Sequence, residues 1–362
     1  MEHVLVSQSE GTGSVTLGCF GNRVLQKRKR PSNEKERRVD VGAEQVLKDA
    51  LSDLGWQATR RLATIPSTAG VPDPVPLSLP GRGQTVVVDV GPRQAPAIIL
   101  LHSVACTGLL TWYPVLDRLA EHYRVVVFDQ RWHGQGIRSH EFSLRDCAGD
   151  VVAVADALGI DRFLIGGYSM GGMVGQLVAY HERDRVSGLV LCSTASYFRR
   201  GIRQKVALDL FGRTLQIMRD QAKIGFVPGE PRRERLARLE DHRWALAEFR
   251  STSPWAIAVA LDEIGRFDSA PWLHTLRLPT SVVVTSRDGF IAPAHQRSLA
   301  RRIADAATYE IPAGHTACVL AANQFVPALM AATTSVHAAI ADQAAGRRCA
   351  EDEGEGEEPE SA

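Results

Sequence analysis

Gly167-Tyr168-Ser169-Met170-Gly171 reads Gly-x-Ser-x-Gly, entered from the apolar run Phe163–Ile165 and left through a helical stretch, Met173 to Tyr180. A strand that turns this sharply into a helix forces the middle residue into a strained backbone conformation, and small residues at Gly167 and Gly171 remove the clashes that would forbid it. Ser169 is thereby expected to present its hydroxyl above a sheet edge as a nucleophile. The N–H of Met170, at the helix start, is expected to face a developing oxyanion. A serine hydroxyl is a poor nucleophile until a base takes its proton, so a histidine and an orienting carboxylate must follow. Asp288 comes after the run Ser281–Thr285, and His315 comes after Thr308–Ile311, in the chain order nucleophile, acid, base. No acidic residue closely follows Cys192, so a competing acid position there is empty. The second oxyanion donor is expected from Val104, in the His102-Ser103-Val104-Ala105 loop that follows Ala97–Leu101. His102 and His133 read as loop-ordering residues, His295 as a helix residue, and His337 as lying beyond the last strand.

These side chains need a scaffold that brings them to one edge. Thr85–Val90, Ala97–Leu101, Arg124–Phe128, Phe163–Ile165, Gly188–Cys192, Ser281–Thr285 and Thr308–Ile311 are short β-branched or aliphatic runs. Several are continuously apolar, as parallel strands covered on both faces are. Helical stretches lie between them, one opened by the cap-like pair Ser143 and Asp146. This alternation predicts an α/β fold, a doubly wound and mostly parallel sheet. From 197 to 278 no strand pattern is visible, which predicts a helical cap inserted between core segments 76–196 and 279–345. Ahead of the core, 1–42 reads as a disordered extension and 43–75 as an amphipathic helix (about 43–62) with a linker. Residues 346–362 read as an acidic disordered tail.

Composition narrows the function classes. Lys and Arg number 42 against 41 Asp and Glu over 362 residues, so the chain has no overall attraction for nucleic acid or an anionic membrane. The basic run Lys27-Arg28-Lys29-Arg30 reads as a solvated tail rather than a nucleic-acid signal. No unbroken apolar run of about 18 residues predicts a membrane span, and the first twenty or so residues lack the apolar core of a signal peptide. The 6 cysteines are scattered without a Cys-x-x-Cys pair, which predicts no zinc site, no disulfide framework and a cytoplasmic, reducing setting. Nothing in the sequence speaks to oligomeric state.

Residues 75–325 resemble the α/β-hydrolase superfamily, on the His102 loop, the Asp129 to Gly134 stretch, the turn at Ser169, and Asp288 and His315. Within it, His102-Ser103, Arg131 to Gly136 and Tyr168-Ser169-Met170-Gly171-Gly172 resemble the 3-oxoadipate enol-lactonase branch. Trp132 stands where that branch usually has Gly before His-Gly, and both terminal extensions are foreign to it. The triad and the resemblance together imply hydrolysis of a small to medium ester, thioester or lactone through an acyl-serine, with no metal or organic cofactor. Acyl transfer by the same triad, and a non-catalytic ligand receptor on the same scaffold, remain the alternatives. Serine at the nucleophile position argues against dehalogenase or epoxide-hydrolase chemistry. In the cap, Arg199, Arg200, Arg203 and Lys205 read either as a solvated helix start or as a rim that steers a carboxylate. Phe211, Met218, Trp255 and Trp272 are candidates for an apolar acyl pocket.

Overall fold

The computed structural model describes residues 65–198 and 232–354. The expected helix at 43–62, the basic run at 27–30 and the cap residues Arg199, Arg200, Arg203, Lys205, Phe211 and Met218 lie outside the described residues.

An eight-stranded sheet forms the centre, in the order β1-β2-β4-β3-β5-β6-β7-β8. Its strands are β1 (Val75–Leu79), β2 (Gly83–Val90), β3 (Ala97–Leu101), β4 (Arg124–Phe128), β5 (Phe163–Tyr168), β6 (Val186–Cys192), β7 (Thr280–Thr285) and β8 (Ala307–Ile311). The β1–β2 and β2–β4 pairs are antiparallel and every other pair is parallel. Every residue of β3, β5 and β7 is buried, as the continuous apolar runs required. β1 was not expected from the sequence. It carries Pro76, which cannot donate to a ladder, and the sheet tolerates it because β1 is an edge strand paired only with β2.

Helices pack between and over the strands: α1 (Gly108–Trp112), α2 (Leu116–Ala120), α3 (Leu144–Ala157), α4 (Met170–His181), α5 (Arg232–Arg250), α6 (Pro254–Arg266), α7 (Pro293–Ala300), α8 (Ala317–Leu320) and α9 (Ala322–Gly354). Ser143 caps α3 as its spacing to Asp146 predicted, its Oγ accepting from the Asp146 N–H at 3.0 Å. The described part of 197–278 carries α5, α6 and a short 3-10 turn, and no strand beyond a single bridge between Tyr197 and Asp268. The residues just ahead of β1 are tied to α5, with the Thr68 N–H and hydroxyl both donating to Asp241 Oδ1. Helix α9 continues to Gly354, so the segment expected to be disordered from 346 starts as helix. Ala, Arg and Glu are good helix formers and keep it going. Its stretch Ala322–Ala345 is long and apolar enough to cross a membrane, which the sequence reading did not anticipate. In this fold Phe325, Leu329, Ala332 and Val336 bury one face of that stretch in the core.

Register decides where function can sit. Leu101 at the end of β3 pairs with Gly167, Tyr168 at the end of β5 pairs with Cys192, and Thr285 at the end of β7 pairs with Ile311. The parallel strands therefore end together, and the loops after β3, β5, β7 and β8 share one edge. In open α/β sheets that carboxyl edge is where ligands bind.

Candidate active site

Ser169 occupies the turn between β5 and α4 with φ 53° and ψ −114°, a backbone conformation that L-residues rarely adopt. Two neighbours explain how the turn closes. A Cβ on Gly171 would lie 2.1 Å from the Leu101 carbonyl oxygen, and one on Gly167 would lie 2.6 Å from that of Gly171. Glycine is therefore required by close backbone approach at both positions. The strained turn is fastened by the Ser169 N–H, which donates to the Cys192 carbonyl at 2.9 Å, and by the Thr194 hydroxyl, which donates to the Ser169 carbonyl at 2.8 Å.

The three residues picked out by spacing meet in space. Ser169 Oγ lies 2.9 Å from His315 Nε2, and His315 Nδ1 lies 2.7 Å from Asp288 Oδ2. Asp288 and Ser169 are buried, and the His315 side chain keeps 16% of its surface exposed. The carboxylate can accept only, so it holds the Nδ1 proton and leaves Nε2 free to accept from the serine. The other Asp288 oxygen, Oδ1, accepts from the N–H groups of Phe290 and Ile291 at 2.9 and 2.8 Å. Tyr168 fixes the His315 backbone from behind, its hydroxyl donating to the His315 carbonyl at 2.8 Å.

Across the cleft, the expected oxyanion donors are set by backbone geometry. Met170 is the first residue of α4, so its N–H has no intrahelical acceptor. In the loop after β3, the Cys106 N–H donates to the Ser103 carbonyl at 3.3 Å, and Ala105 between them sits at φ 68°. That is a turn of the type that favours glycine at this position, held here with alanine. The Ser103 carbonyl also accepts from His102 Nδ1 at 2.7 Å, while His102 Nε2 accepts from the Gln130 N–H at 2.9 Å. Because a trans peptide points its N–H opposite to its carbonyl, pinning Ser103 O aims the Val104 N–H the other way. Burial pushes the His102 imidazole down to about 4 and His133 down to about 3, so both are neutral. His133 uses Nδ1 on the Arg131 carbonyl at 3.0 Å, and its ring lies edge-on to His102 at 5.2 Å. Both are loop-ordering residues, as the sequence suggested.

Below them, Asp129 accepts from the N–H groups of Gly108 and Gln135, each at 2.8 Å, and burial raises its carboxyl above the usual range. Arg131 forks onto buried Asp150 at 2.6 and 2.8 Å, tying this loop to α3. Trp132 adopts φ 65°, which explains why glycine is usual at its position. It is held there by an Nε1 bond to the Ser139 carbonyl at 3.1 Å and by packing on Phe142.

Several contributors left no mark in the sequence pattern. Phe290 lies against the His315 ring at 4.8 Å and against Phe198 at 5.6 Å, giving the site an aromatic wall. Glu248 of α5 accepts from the Thr107 hydroxyl, which itself caps α1, so α5 grips the end of the loop that follows β3. Burial raises the Glu248 carboxyl. Trp255 and Trp272 are the two acyl-pocket candidates that lie among the described residues. Trp255 is 73% exposed on α6. Trp272 packs on Tyr180 at 4.4 Å, roughly 16 Å along α4 from Ser169 at the rise of a helix. His295 lies on α7 against Tyr197, and His337 on α9 against Tyr123, both outside the triad.

Known proteins place the chain. A family model for the alpha/beta hydrolase fold matches residues 96–322. The chain is 32% identical over 116 residues to 3-oxoadipate enol-lactonase 1 of Acinetobacter baylyi, a match covering 32% of this chain and 43%, less than half, of the relative. The structure resembles an enol-lactonase from Burkholderia xenovorans with a TM-score of 0.58 at 24% identity, over 72% of this chain and 100% of that one. It also resembles a thermophilic esterase from Thermogutta terrifontis, with a TM-score of 0.57 at 23% identity, over 74% of this chain and 100% of that one.

Proposed function

The chain belongs to the α/β-hydrolase fold family, and from that premise we propose that it is a serine hydrolase of the esterase or lactonase type, cleaving a small to medium ester, thioester or lactone. The observation that carries this reading is the unbroken chain of contacts from Ser169 Oγ through His315 to Asp288, at 2.9 and 2.7 Å. Enol-lactonase and esterase relatives support the same class of substrate.

The geometry supports the following course. Ser169 Oγ attacks the carbonyl carbon as His315 Nε2 takes its proton, and the carbonyl π electrons move onto oxygen. The N–H groups of Val104 and Met170 stabilise that oxyanion, a contribution on the order of 10²–10³ in rate for one such donor. Asp288 keeps the Nδ1 proton and offsets the positive charge that forms on the imidazole. Collapse of the adduct breaks the bond to the leaving oxygen or sulfur, which takes the proton back from His315 Nε2. In a lactone that leaving oxygen stays on the acyl chain as a hydroxyl. Water then repeats the attack with His315 as base, releasing the carboxylic acid and Ser169.

A fluorophosphonate tests the reading directly, because only a hydroxyl with a base and an oxyanion hole reacts readily. Labelling is expected at Ser169 alone and is expected to vanish in Ser169→Ala. Labelling that survives Ser169→Ala overturns the assignment. An ester and lactone panel graded by acyl length then locates the substrate, which is set by the pocket rather than the fold.

A further inference from the structure

Asp288 Oδ2, the oxygen that faces His315, has two side-chain partners besides the histidine. The Thr285 hydroxyl donates to it at 2.8 Å, and Gln296 Nε2 donates to it at 3.0 Å. Gln296 sits on α7 and is fully buried. Its orientation is dictated by the backbone. Oε1 accepts from the Thr285 N–H at 3.0 Å, and Nε2 donates to the Ile291 carbonyl at 2.7 Å. An N–H can only donate and a carbonyl can only accept, so the amide cannot be reversed. One Nε2 hydrogen serves Ile291, and the other turns toward Asp288 Oδ2 and the Thr285 Oγ1 beside it, also 3.0 Å away. The charged carboxylate is the stronger acceptor of the two.

We propose that Gln296, together with Thr285, is a positioning residue for the acid of the triad: it fixes Oδ2 toward His315 and takes up part of the charge that the carboxylate turns on the imidazole. The proposal rests on the triad reading above. Two effects follow from the geometry. Backbone N–H groups already hold Oδ1, so the side-chain pair is what holds Oδ2, on the line to Nδ1. The donor dipoles also neutralise part of the carboxylate's charge, so the imidazolium is stabilised less than a bare carboxylate would stabilise it. The same amide ties the Ile291 carbonyl to α7, which steadies the loop that brings Phe290 against the imidazole.

The test uses the full-length chain and any ester the wild type turns over. Gln296→Met is near-isosteric and keeps no donor. It is expected to lower kcat about 10- to 100-fold with KM nearly unchanged, because it affects a group that acts through His315. The acid limb of kcat/KM is expected to move up by about half to one pH unit. Thr285→Val is expected to act in the same direction, and Thr285→Ser, which keeps the hydroxyl, to restore near wild-type behaviour. The downfield proton resonance of the Nδ1–H between His315 and Asp288 is expected to shift in Gln296→Met and Thr285→Val, and not in Thr285→Ser. If the folded Gln296→Met and Thr285→Val variants keep the wild-type acid limb and resonance while Asp288→Asn loses activity, the positioning role is overturned and the triad stands. If Asp288→Asn keeps full activity, the triad assignment falls and this role with it.

Discussion

Two halves of one sheet edge treat histidine in opposite ways. Beside β3 and β4, His102 is bonded on both nitrogens to backbone groups, donating to the Ser103 carbonyl and accepting from the Gln130 N–H. That partner set demands a neutral ring, and burial enforces it by lowering the imidazole to about 4. Beside β7 and β8, His315 meets a carboxylate on one nitrogen and a hydroxyl on the other. There a positive ring has an anion to face, and the second nitrogen has a proton to take. The difference teaches that partners set what a loop histidine is able to do. Its place at the carboxyl edge is shared by both.

The sharpest way to break the comparison is to remove each ring in turn. His315→Ala and Ser169→Ala are each expected to lower kcat by a factor on the order of 10⁴ or more with folding intact. Asp288→Asn is expected to cost somewhat less, because serine and base remain. Steady-state hydrolysis of an activated ester measures all three.

His102→Ala is expected to lower kcat by about 10²-fold, the scale of one misplaced oxyanion donor. It is also expected to destabilise the fold by about 1–3 kcal/mol through the orphaned Gln130 N–H. The acid limb of the pH–rate profile should stay where it is, since His102 takes no proton from Ser169. A shift of that limb in His102→Ala would mean the two halves are not distinct.

The neutral pair His102 and His133 also sets a stability–pH relation. Their native values of about 4 and about 3 lie below the 6.5 of an unperturbed imidazole. Below pH 6.5 the unfolded chain binds protons that the native state refuses. Their stabilising contribution is therefore complete above 6.5 and is lost as pH falls toward 4 and then 3. Each contributes a slope of up to about 1.4 kcal/mol per pH unit in that window. The raised Asp129 carboxyl works in the opposite sense and offsets part of it. Urea unfolding is expected to show a midpoint that falls steadily from pH 6.5 to 4, and a flat midpoint there contradicts the neutral-ring account.

The smallest effect belongs away from the edge. Ser143→Ala removes the α3 cap and is expected to cost about 1 kcal/mol of stability, with kcat unchanged. A change in kcat would mean that α3, which holds Arg131 through Asp150, transmits strain to the oxyanion half.

Much of the site could be read from the chain because its signals are local. The turn at Ser169 needs glycines at fixed offsets, and Asp288 and His315 follow strands in an order dictated by the sheet. Continuous apolar runs marked β3, β4 and β7, since a strand buried on both faces has no polar side to show. The edge strand β1 was missed because Pro76 argues against a strand, and only its unpaired outer side makes it tolerable. The left-handed residues Ala105 and Trp132 were equally hidden, because no glycine announces them.

By itself, then, the sequence singled out Ser169, Asp288 and His315 and the alternating scaffold, each through residue type and short-range spacing. Tertiary structure alone decided which groups surround them. Gln296 reaches Asp288 because α7 packs on β7, Phe290 reaches His315 because its loop folds back over the edge, and Glu248 reaches Thr107 across 141 residues of chain. Such partnerships depend on how elements stack. Spacing along a chain fixes neighbours on one helix or strand, while packing between elements fixes everything else.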